Sequence, residues 1–475
     1  MKNKILIFFV VIIAIILAIP SILYLINNKT VDGFDAYYTY TLIKSDIQSV
    51  RIKSAIIVIG LLMILGILYV EIIKKENEIF DSVKKVFIFI FVISFIFMMI
   101  IPYLSSDIYY YIGDSWISAK YGENPYYTSV SELQENGIND EILNNTGYWK
   151  DTTSVYGPLW NSIAKLLVSF SFGNVTIALF IFKIASYLIH VLNSYLIYKI
   201  TKSCKYTLLY GLNPLVLVEF LSNVHNDIYL VLFILLALYF LTVHNNKLFT
   251  IIFIALSVSV KYSTVLIVPF ILIYCFKDKT LPKRILYCLM SGISIIALVV
   301  LLYLPYYRDY TIFTNMLVQG EKYSQSIMLL LTQMFKNDIF STKLVLPIFA
   351  IIYIIFLIIS LLKKDINMKE IIKDYNFIML VFIFIVLTNF QKWYILWLLP
   401  TIMWQTEKMQ KFIIYLTITA IIPSFGYFLA QGDPWTVGIG YSAKILIISI
   451  TLLIIDIFEN MILIMKNAKK LKYNN

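Results

Sequence analysis

The most informative shortage in this sequence is charge. Of its 475 residues only 14% are charged, whereas 60% are hydrophobic and the mean hydropathy is +0.82. A soluble domain is ordinarily about one quarter charged. Because this chain has too few charges to cover a water-facing surface of its size, its composition excludes a soluble globular protein.

Cysteine and the common catalytic motifs are scarce as well. The three cysteines, Cys204, Cys275 and Cys288, fall near predicted cytoplasmic helix ends, which argues against disulfides, and nothing near them resembles a metal site. The sequence contains no P-loop, Gly-x-Ser-x-Gly elbow, His-Glu-x-x-His motif or dinucleotide fingerprint. The net charge is +11, but the sequence contains no soluble basic domain that could bind nucleic acid, so we expect no nucleic-acid partner.

Long apolar runs dominate what is present, for example residues 5–26 and 86–104. A run of about 18 or more apolar residues predicts a membrane-spanning helix, and these runs lack the alternation of a β-barrel. Lys2 and Lys4 precede the first run, but no small-residue cleavage pattern follows it, so we interpret it as a retained helix. The predicted fold is all-α, a polytopic transmembrane helical bundle of about 11 to 14 spans.

The distribution of Lys and Arg predicts the orientation. Placing the basic clusters in the cytoplasm leaves both termini inside and makes 105–173 the first large extracytoplasmic loop of a single membrane-embedded domain, 1–475. Between Asp107 and Asp151 this loop carries eight acids and two bases. We expect residues 159–172 to form an interfacial helix within it. The predicted spans are 5–26, 54–74, 86–104, 175–199, 206–222, 228–243, 248–260, 263–276, 285–305, 342–362, 376–390, 393–406, 412–430 and 441–465.

Polar residues recur at the predicted outer helix ends, where burying them is costly. Asp107 and Asp114 begin the large loop, and compact polar groups mark five further outer turns. These groups are His225-Asn226-Asp227, Lys261-Tyr262, Arg308-Asp309, Gln391-Lys392-Trp393 and Gln431 to Trp435. Their convergence predicts a polar site at the outer leaflet, which suits both a transporter and a lipid-dependent enzyme.

Structural interpretations compete for most of these residues. Asp107 could complement a helix dipole, and Asp114, seven residues later, could share its helix face or be simply solvated. A lone His225 at a helix end is usually structural, and Lys261 could extend its ammonium to the interface. Trp393 and its aromatic neighbours fit an interface belt, which is the better interpretation from residues alone.

Four stretches carry a resemblance to a known class: 101–126 with 154–160, 213–227, 260–269 and 392–400. Together they resemble the GT-C class of polytopic glycosyltransferases. They are most similar to the polyprenyl-phosphomannose-dependent α-mannosyltransferases of lipomannan-type synthesis. This resemblance covers roughly residues 100–400.

The resemblance implies a hexosyltransferase that uses a polyprenyl-phosphate sugar and inverts the anomeric centre. Asp107 would be the general base. Lys261, Arg308 and Lys392, in that order, would hold the phosphate. The other substrate-binding candidates are Asp114, His225, Asn226, Asp227, Tyr262 and Trp393. No cofactor is implied; two nearby acids permit a divalent metal ion, but their spacing does not demand one.

The expected partners are the lipid-linked donor, membrane lipids, and a glycan, glycolipid or protein acceptor, with the site on the outer face of the plasma membrane. The alternative is a transporter or flippase of lipid-linked sugars. A flippase should carry polar groups through its helix interiors, whereas the spans between the outer turns are almost wholly apolar, as in residues 230–240. A non-catalytic scaffold would leave the polar turns unexplained. The residues therefore favour the enzyme.

Overall fold

A computed structural model describes residues 4–28, 48–314, 326–335, 342–422 and 442–456. Of the residues in those ranges 80% are helical, and none of them forms a strand. Sixteen α-helices longer than one turn are numbered here in chain order. They are α1 Ile5–Asn28, α2 Gln48–Lys74, α3 Val83–Met98, α4 Asp107–Lys120, α5 Val130–Glu135, α6 Pro158–Ser169, α7 Val175–Thr201, α8 Cys204–Gly211, α9 Asp227–Thr242, α10 Lys247–Val260, α11 Val268–Cys275, α12 Leu281–Tyr303, α13 Ile327–Phe335, α14 Thr342–Leu362, α15 Met368–Val381 and α16 Glu407–Thr419.

Five helices of the described part are long and apolar enough to cross a membrane, or six if one bent pair counts as a span. They confirm an all-α polytopic bundle. Fewer helices pass this test than the number of spans predicted, because several predicted spans are short or broken. For example, α10 and the 262–275 stretch are each shorter than 18 residues. The five spans are Ile5–Asn27, Ile52–Lys74, Val175–Thr201, Leu281–Tyr306 and Leu344–Leu362.

Non-α backbone replaces two predicted spans in part. Lys392–Trp404 is a 3-10 helix of 13 residues, and Phe382–Val386 continues α15 as a π-helix. A 3-10 helix rises about 2.0 Å per residue, so these 13 residues extend about 26 Å, further than an α-helix of the same length. Such stretches often occur at functional positions.

The loop 105–173 folds over one end of the bundle, which is called the loop end below. Its helix α6 packs against α4 and α10 and is too short to be a candidate span, while the interfacial position expected for residues 159–172 stays a prediction. The core below it is continuous and apolar. Residues 431–435, one of the predicted polar turns, lie outside the part that the structure describes.

Candidate functional site

A sharp turn at the loop end carries Asn223 to Asp227. Here the helical stretch Pro214–Ser222 meets α9 at 117°. The last six residues before the turn, Leu217–Ser222, are a π segment, and Val224 has a φ of +61°. A β-branched residue rarely adopts this left-handed conformation, and such strain concentrates at functional sites.

Four buried or half-buried ionisable groups follow one another through this turn. The Nδ1 atom of His225 lies 3.6 Å from Oδ2 of Asp107, and its Nε2 atom lies 3.1 Å from Oε2 of Glu219. The other oxygen of Glu219, Oε1, lies 3.0 Å from the ammonium of Lys392. This series, Asp107–His225–Glu219–Lys392, is called the charged chain. It joins α4, the turn, the π segment and the 3-10 helix.

A second ion pair lies beside the charged chain. Lys261 donates to both carboxylate oxygens of Asp227, at 2.9 and 3.0 Å, and the indole of Trp397 donates to the same carboxylate. The ammonium also lies 4.7 Å from the ring centre of Tyr394 and 5.3 Å from that of Trp397. Since the electron-rich face of an aromatic ring attracts a cation, two rings and a carboxylate fix Lys261 in place.

Asp107 is the member of the charged chain that reaches solvent. Its side chain is 18% exposed, whereas those of His225 and Glu219 are fully buried. Burial raises the pKa of the Asp107 carboxyl, and the charges of His225 and Lys261 oppose that rise. Its amide N–H donates to the hydroxyl of Ser105 at 3.3 Å, and hydrogen bonds from the side chains of Ser105 and Trp149 to the carboxyl group also oppose the rise in its pKa.

Asp114 lies on the same helix but apart from the charged chain. Its side chain is buried against Ser154 and Tyr110, and burial raises its pKa to about 8. One of its oxygens, Oδ1, has no hydrogen-bond partner. Within the ranges that the structure describes, no group of three or more His, Cys, Asp or Glu side chains is arranged to hold a metal ion.

Asn226 and Trp393 lie within the turn and against it. The Asn226 side chain is fully buried, and neither its amide nitrogen nor its oxygen has a hydrogen-bond partner. Trp393 stacks on the imidazole of His225 with ring centres 3.6 Å apart. Both Trp393 and Trp397 are buried, which differs from the interface belt expected from residues alone, because the 3-10 helix turns them toward the polar turn.

Tyr262 and Arg308 occupy different surroundings. The Tyr262 hydroxyl bonds to that of Tyr303 and donates to the Tyr156 carbonyl, so it ties the loop to α12. Arg308 is exposed, and its guanidinium lies 4.0 Å from a carboxylate oxygen of Glu123. Arg308 therefore pairs with the large loop at the surface and not with a member of the charged chain.

Glu219 and Gly157 are the residues that sequence reasoning passed over. Glu219 lies in the stretch 213–227 that carries the family resemblance, but the sequence analysis assigns it no role. An acid within an apolar run is by itself a sign of function. Gly157 donates its N–H to the Val260 carbonyl at 3.1 Å. A Cβ atom at Gly157 would collide with the Ser259 carbonyl, so only glycine lets the loop dock directly before Lys261.

The helical bundle and this buried charged site define a polytopic membrane protein with a polar reaction or binding centre at one end. A family model described as alpha-(1->6)-mannopyranosyltransferase, N-terminal domain, matches residues 15–277, more than half of the chain. The chain belongs to this family and is a membrane glycosyltransferase of the GT-C type. Searches of curated proteins and of solved structures each returned no match.

Proposed function

We propose that this enzyme transfers mannose from a polyprenyl-phosphate donor to an extracytoplasmic acceptor, with inversion at the anomeric carbon. The observation that carries the proposal is the position of Asp107, a partly exposed carboxylate at the edge of a buried charged site. A base must reach the proton that it removes and be basic enough to hold it. Because the Asp107 side chain is partly exposed, it can reach the acceptor proton, and its raised pKa makes the carboxylate more basic than that of an ordinary Asp.

The reaction proposed is one displacement. Asp107 takes the proton of an acceptor hydroxyl while that oxygen bonds to the anomeric carbon. The bond from the anomeric carbon to the phosphate oxygen breaks, and its electron pair leaves with the phosphate. Negative charge thus builds on the lipid phosphate, where a fixed cation stabilises the transition state.

Lys261 remains our first candidate for that cation. Its side chain is 17% exposed, whereas that of Lys392 is 5% exposed and held by Glu219. Arg308 would contact the donor phosphate from its exposed position beside Glu123. His225, Asn226, Asp227, Tyr262 and Trp393 would line the sugar or acceptor, and Asp114 would support the loop. We propose no cofactor.

We also propose the cellular location, the orientation in the membrane and the partners of the enzyme. The positive-inside rule places the loop end outside the plasma membrane and both termini in the cytoplasm. The acceptor would be a glycan, a glycolipid or a protein of the cell envelope. A lipid-linked sugar and membrane lipids would be the standing partners.

The test is transfer from radiolabelled polyprenyl-phosphate sugars in membranes that contain the full chain. Asp107→Asn should insert normally and lose transfer by about two orders of magnitude or more, as expected for loss of a general base. Asp151→Asn, which removes an exposed carboxylate of the same loop, is the matched control and should transfer normally. Full activity of Asp107→Asn would overturn the assignment. No transfer by the unaltered chain from mannose, glucose, galactose or arabinose donors would favour a transporter or flippase.

A further inference from the structure

The charged chain extends well beyond the proposed base. Asp107 contacts solvent, but three more groups continue inward from it, and none of these three side chains is more than 5% exposed. Burying a charge is costly unless it is paired, so a buried series of this length calls for a physical explanation.

The net charge of this series depends on one proton. Asp107 and Glu219 are two carboxylates, Lys392 is one ammonium, and a neutral His225 leaves the four groups with a net charge of −1. A single added proton brings that sum to zero. Because an uncompensated charge in a buried site is unfavourable, the charged chain favours proton uptake.

The geometry indicates where the proton resides. Glu219 lies 3.1 Å from Nε2 of His225, so the N–H of a neutral imidazole is best placed on that nitrogen. Nδ1 is then left as an acceptor, facing Asp107 at 3.6 Å. That separation exceeds a hydrogen bond, and the transfer requires it to shorten when substrate is bound, as catalytic contacts commonly do.

We propose that His225 receives the proton that Asp107 takes from the acceptor, and that Glu219 and Lys392 are positioning residues that hold the imidazole and balance its charge. This proposal rests on the proposed function. The proton passes from the acceptor oxygen to Asp107 and then to Nδ1 of His225. After the product leaves, it returns through Asp107, the solvent-facing member, to water. The stacked face of Trp393 favours the cationic ring in the interval.

Other groups act on the same carboxylate and must be held constant in any test. Besides His225, the titratable groups that interact electrostatically with Asp107 are Lys261, Tyr110, Tyr111, Tyr156 and Tyr394. None of them belongs to the charged chain. The informative substitutions are therefore at His225 and Glu219.

The first measurement does not depend on transfer. Dicyclohexylcarbodiimide modifies protonated carboxyl groups in apolar surroundings, and peptide mass spectrometry reports modification of Asp107 in the full chain in detergent. His225→Phe keeps a ring against Trp393 but removes both nitrogens. Since a phenyl ring cannot bind a proton, Asp107 becomes the only member of this pair that can hold it, and modification should persist to higher pH in this variant.

The second measurement uses transfer from polyprenyl-phosphate mannose. His225→Phe and Glu219→Gln should each lower kcat about tenfold or more and move the acidic limb of the pH profile, and Glu219→Gln, which does not line the sugar, should leave the KM for the donor unchanged. His190→Phe is the matched control, since His190 stacks on Tyr210 and faces no carboxylate of the charged chain. It should change neither measurement.

The outcomes separate the two proposals. Glu219→Gln retains the size of its side chain and serves if His225→Phe does not fold. An unchanged modification profile in His225→Phe, or an unchanged pH profile in a folded Glu219→Gln, would overturn the relay even if transfer is observed. A shifted modification profile in a chain that transfers no sugar would instead overturn the proposed function.

Discussion

Two buried polar regions of this protein lie only six residues apart in sequence and differ in kind. Asn213 belongs to an interior network in which its amide donates to the hydroxyls of Tyr69 and Thr417, at 3.2 and 2.9 Å. Glu219 belongs to the charged chain. The interior network is neutral, and the Tyr69 hydroxyl donates to the Leu209 carbonyl at 2.7 Å, so the donors of the network are used within the protein.

The two regions have different roles: the network at Asn213 holds helices together, whereas the charged chain contains groups that we propose take part in the reaction. A neutral network joins α2, the turn at Asn213 and α16 without a charge to compensate. The charged chain requires ion pairs and still leaves one carboxylate at the solvent. Buried polarity inside the bundle is thus more extensive than residues 230–240 alone indicated, but around Asn213 it is a closed network rather than a route across the membrane.

Breaking an ion pair at the site should give the largest loss of stability. Asp227→Asn leaves the Lys261 ammonium without its carboxylate, and we expect the free energy of unfolding to fall by about 3 kcal/mol. Thermal unfolding in detergent measures this loss. The double variant Asp227→Asn/Lys261→Met should lose less, because it leaves no unpaired charge. An equal or larger loss in the double variant would show that the pair is not what stabilises this position.

Breaking the neutral network should cost less and leave the chemistry intact. Asn213→Leu removes the bonds to Tyr69 and Thr417 and the cap on the Leu215 N–H, so we expect a loss of about 2 kcal/mol. Transfer per folded molecule should be unchanged. Asn246→Ala removes a helix cap alone and should cost about 1 kcal/mol. A large fall in the turnover of folded Asn213→Leu would contradict the distinction between the two regions.

Displacing the loop should affect turnover more than stability. Gly157→Ala pushes its Cβ atom into the Ser259 carbonyl and shifts the backbone that leads into Lys261. We expect transfer to fall about tenfold, equivalent to about 1.4 kcal/mol in the barrier. Gly60→Ala is the control, because a Cβ atom at Gly60 meets no other atom within 4 Å. Unchanged kinetics in Gly157→Ala would remove this loop contact from the site.

An effect of a different kind, one that depends on pH, concerns the second aspartate. The pKa of Asp114 is about 8 in the folded protein, against about 3.9 for an ordinary Asp. Between these values the folded state binds the extra proton, so stability falls as pH rises toward and through 8. Asp114→Asn abolishes that loss. The melting temperature of the variant, relative to that of the unaltered protein, should therefore rise between about pH 5 and pH 9.

Two results would contradict that view of Asp114. A melting-temperature difference that is the same at both pH values would show that its carboxyl does not titrate as described. A loss of transfer greater than that of Asp107→Asn would show that Asp114, not Asp107, is the base. The expected loss is smaller, because Asp114 lies outside the charged chain.

Composition and patterning predicted the class of this protein well. Long apolar runs indicated an all-α membrane bundle, and the quoted stretches indicated the glycosyltransferase family, since both signals are local in sequence. The 206–222 span was predicted as one helix. It is broken instead at Asn213, whose side chain caps the next turn, and it ends in a π segment. Local hydrophobicity does not encode such breaks.

The sequence by itself determined that polar residues gather at helix ends, because lipid excludes them from elsewhere. Only the tertiary structure decided which of them meet. It brought Glu219 and Lys392, which are 173 residues apart in sequence, to 3.0 Å from one another and left Arg308 exposed beside Glu123. The physical reason is that ion pairs form between helices, and their partners are chosen by how the helices pack rather than by spacing along one of them.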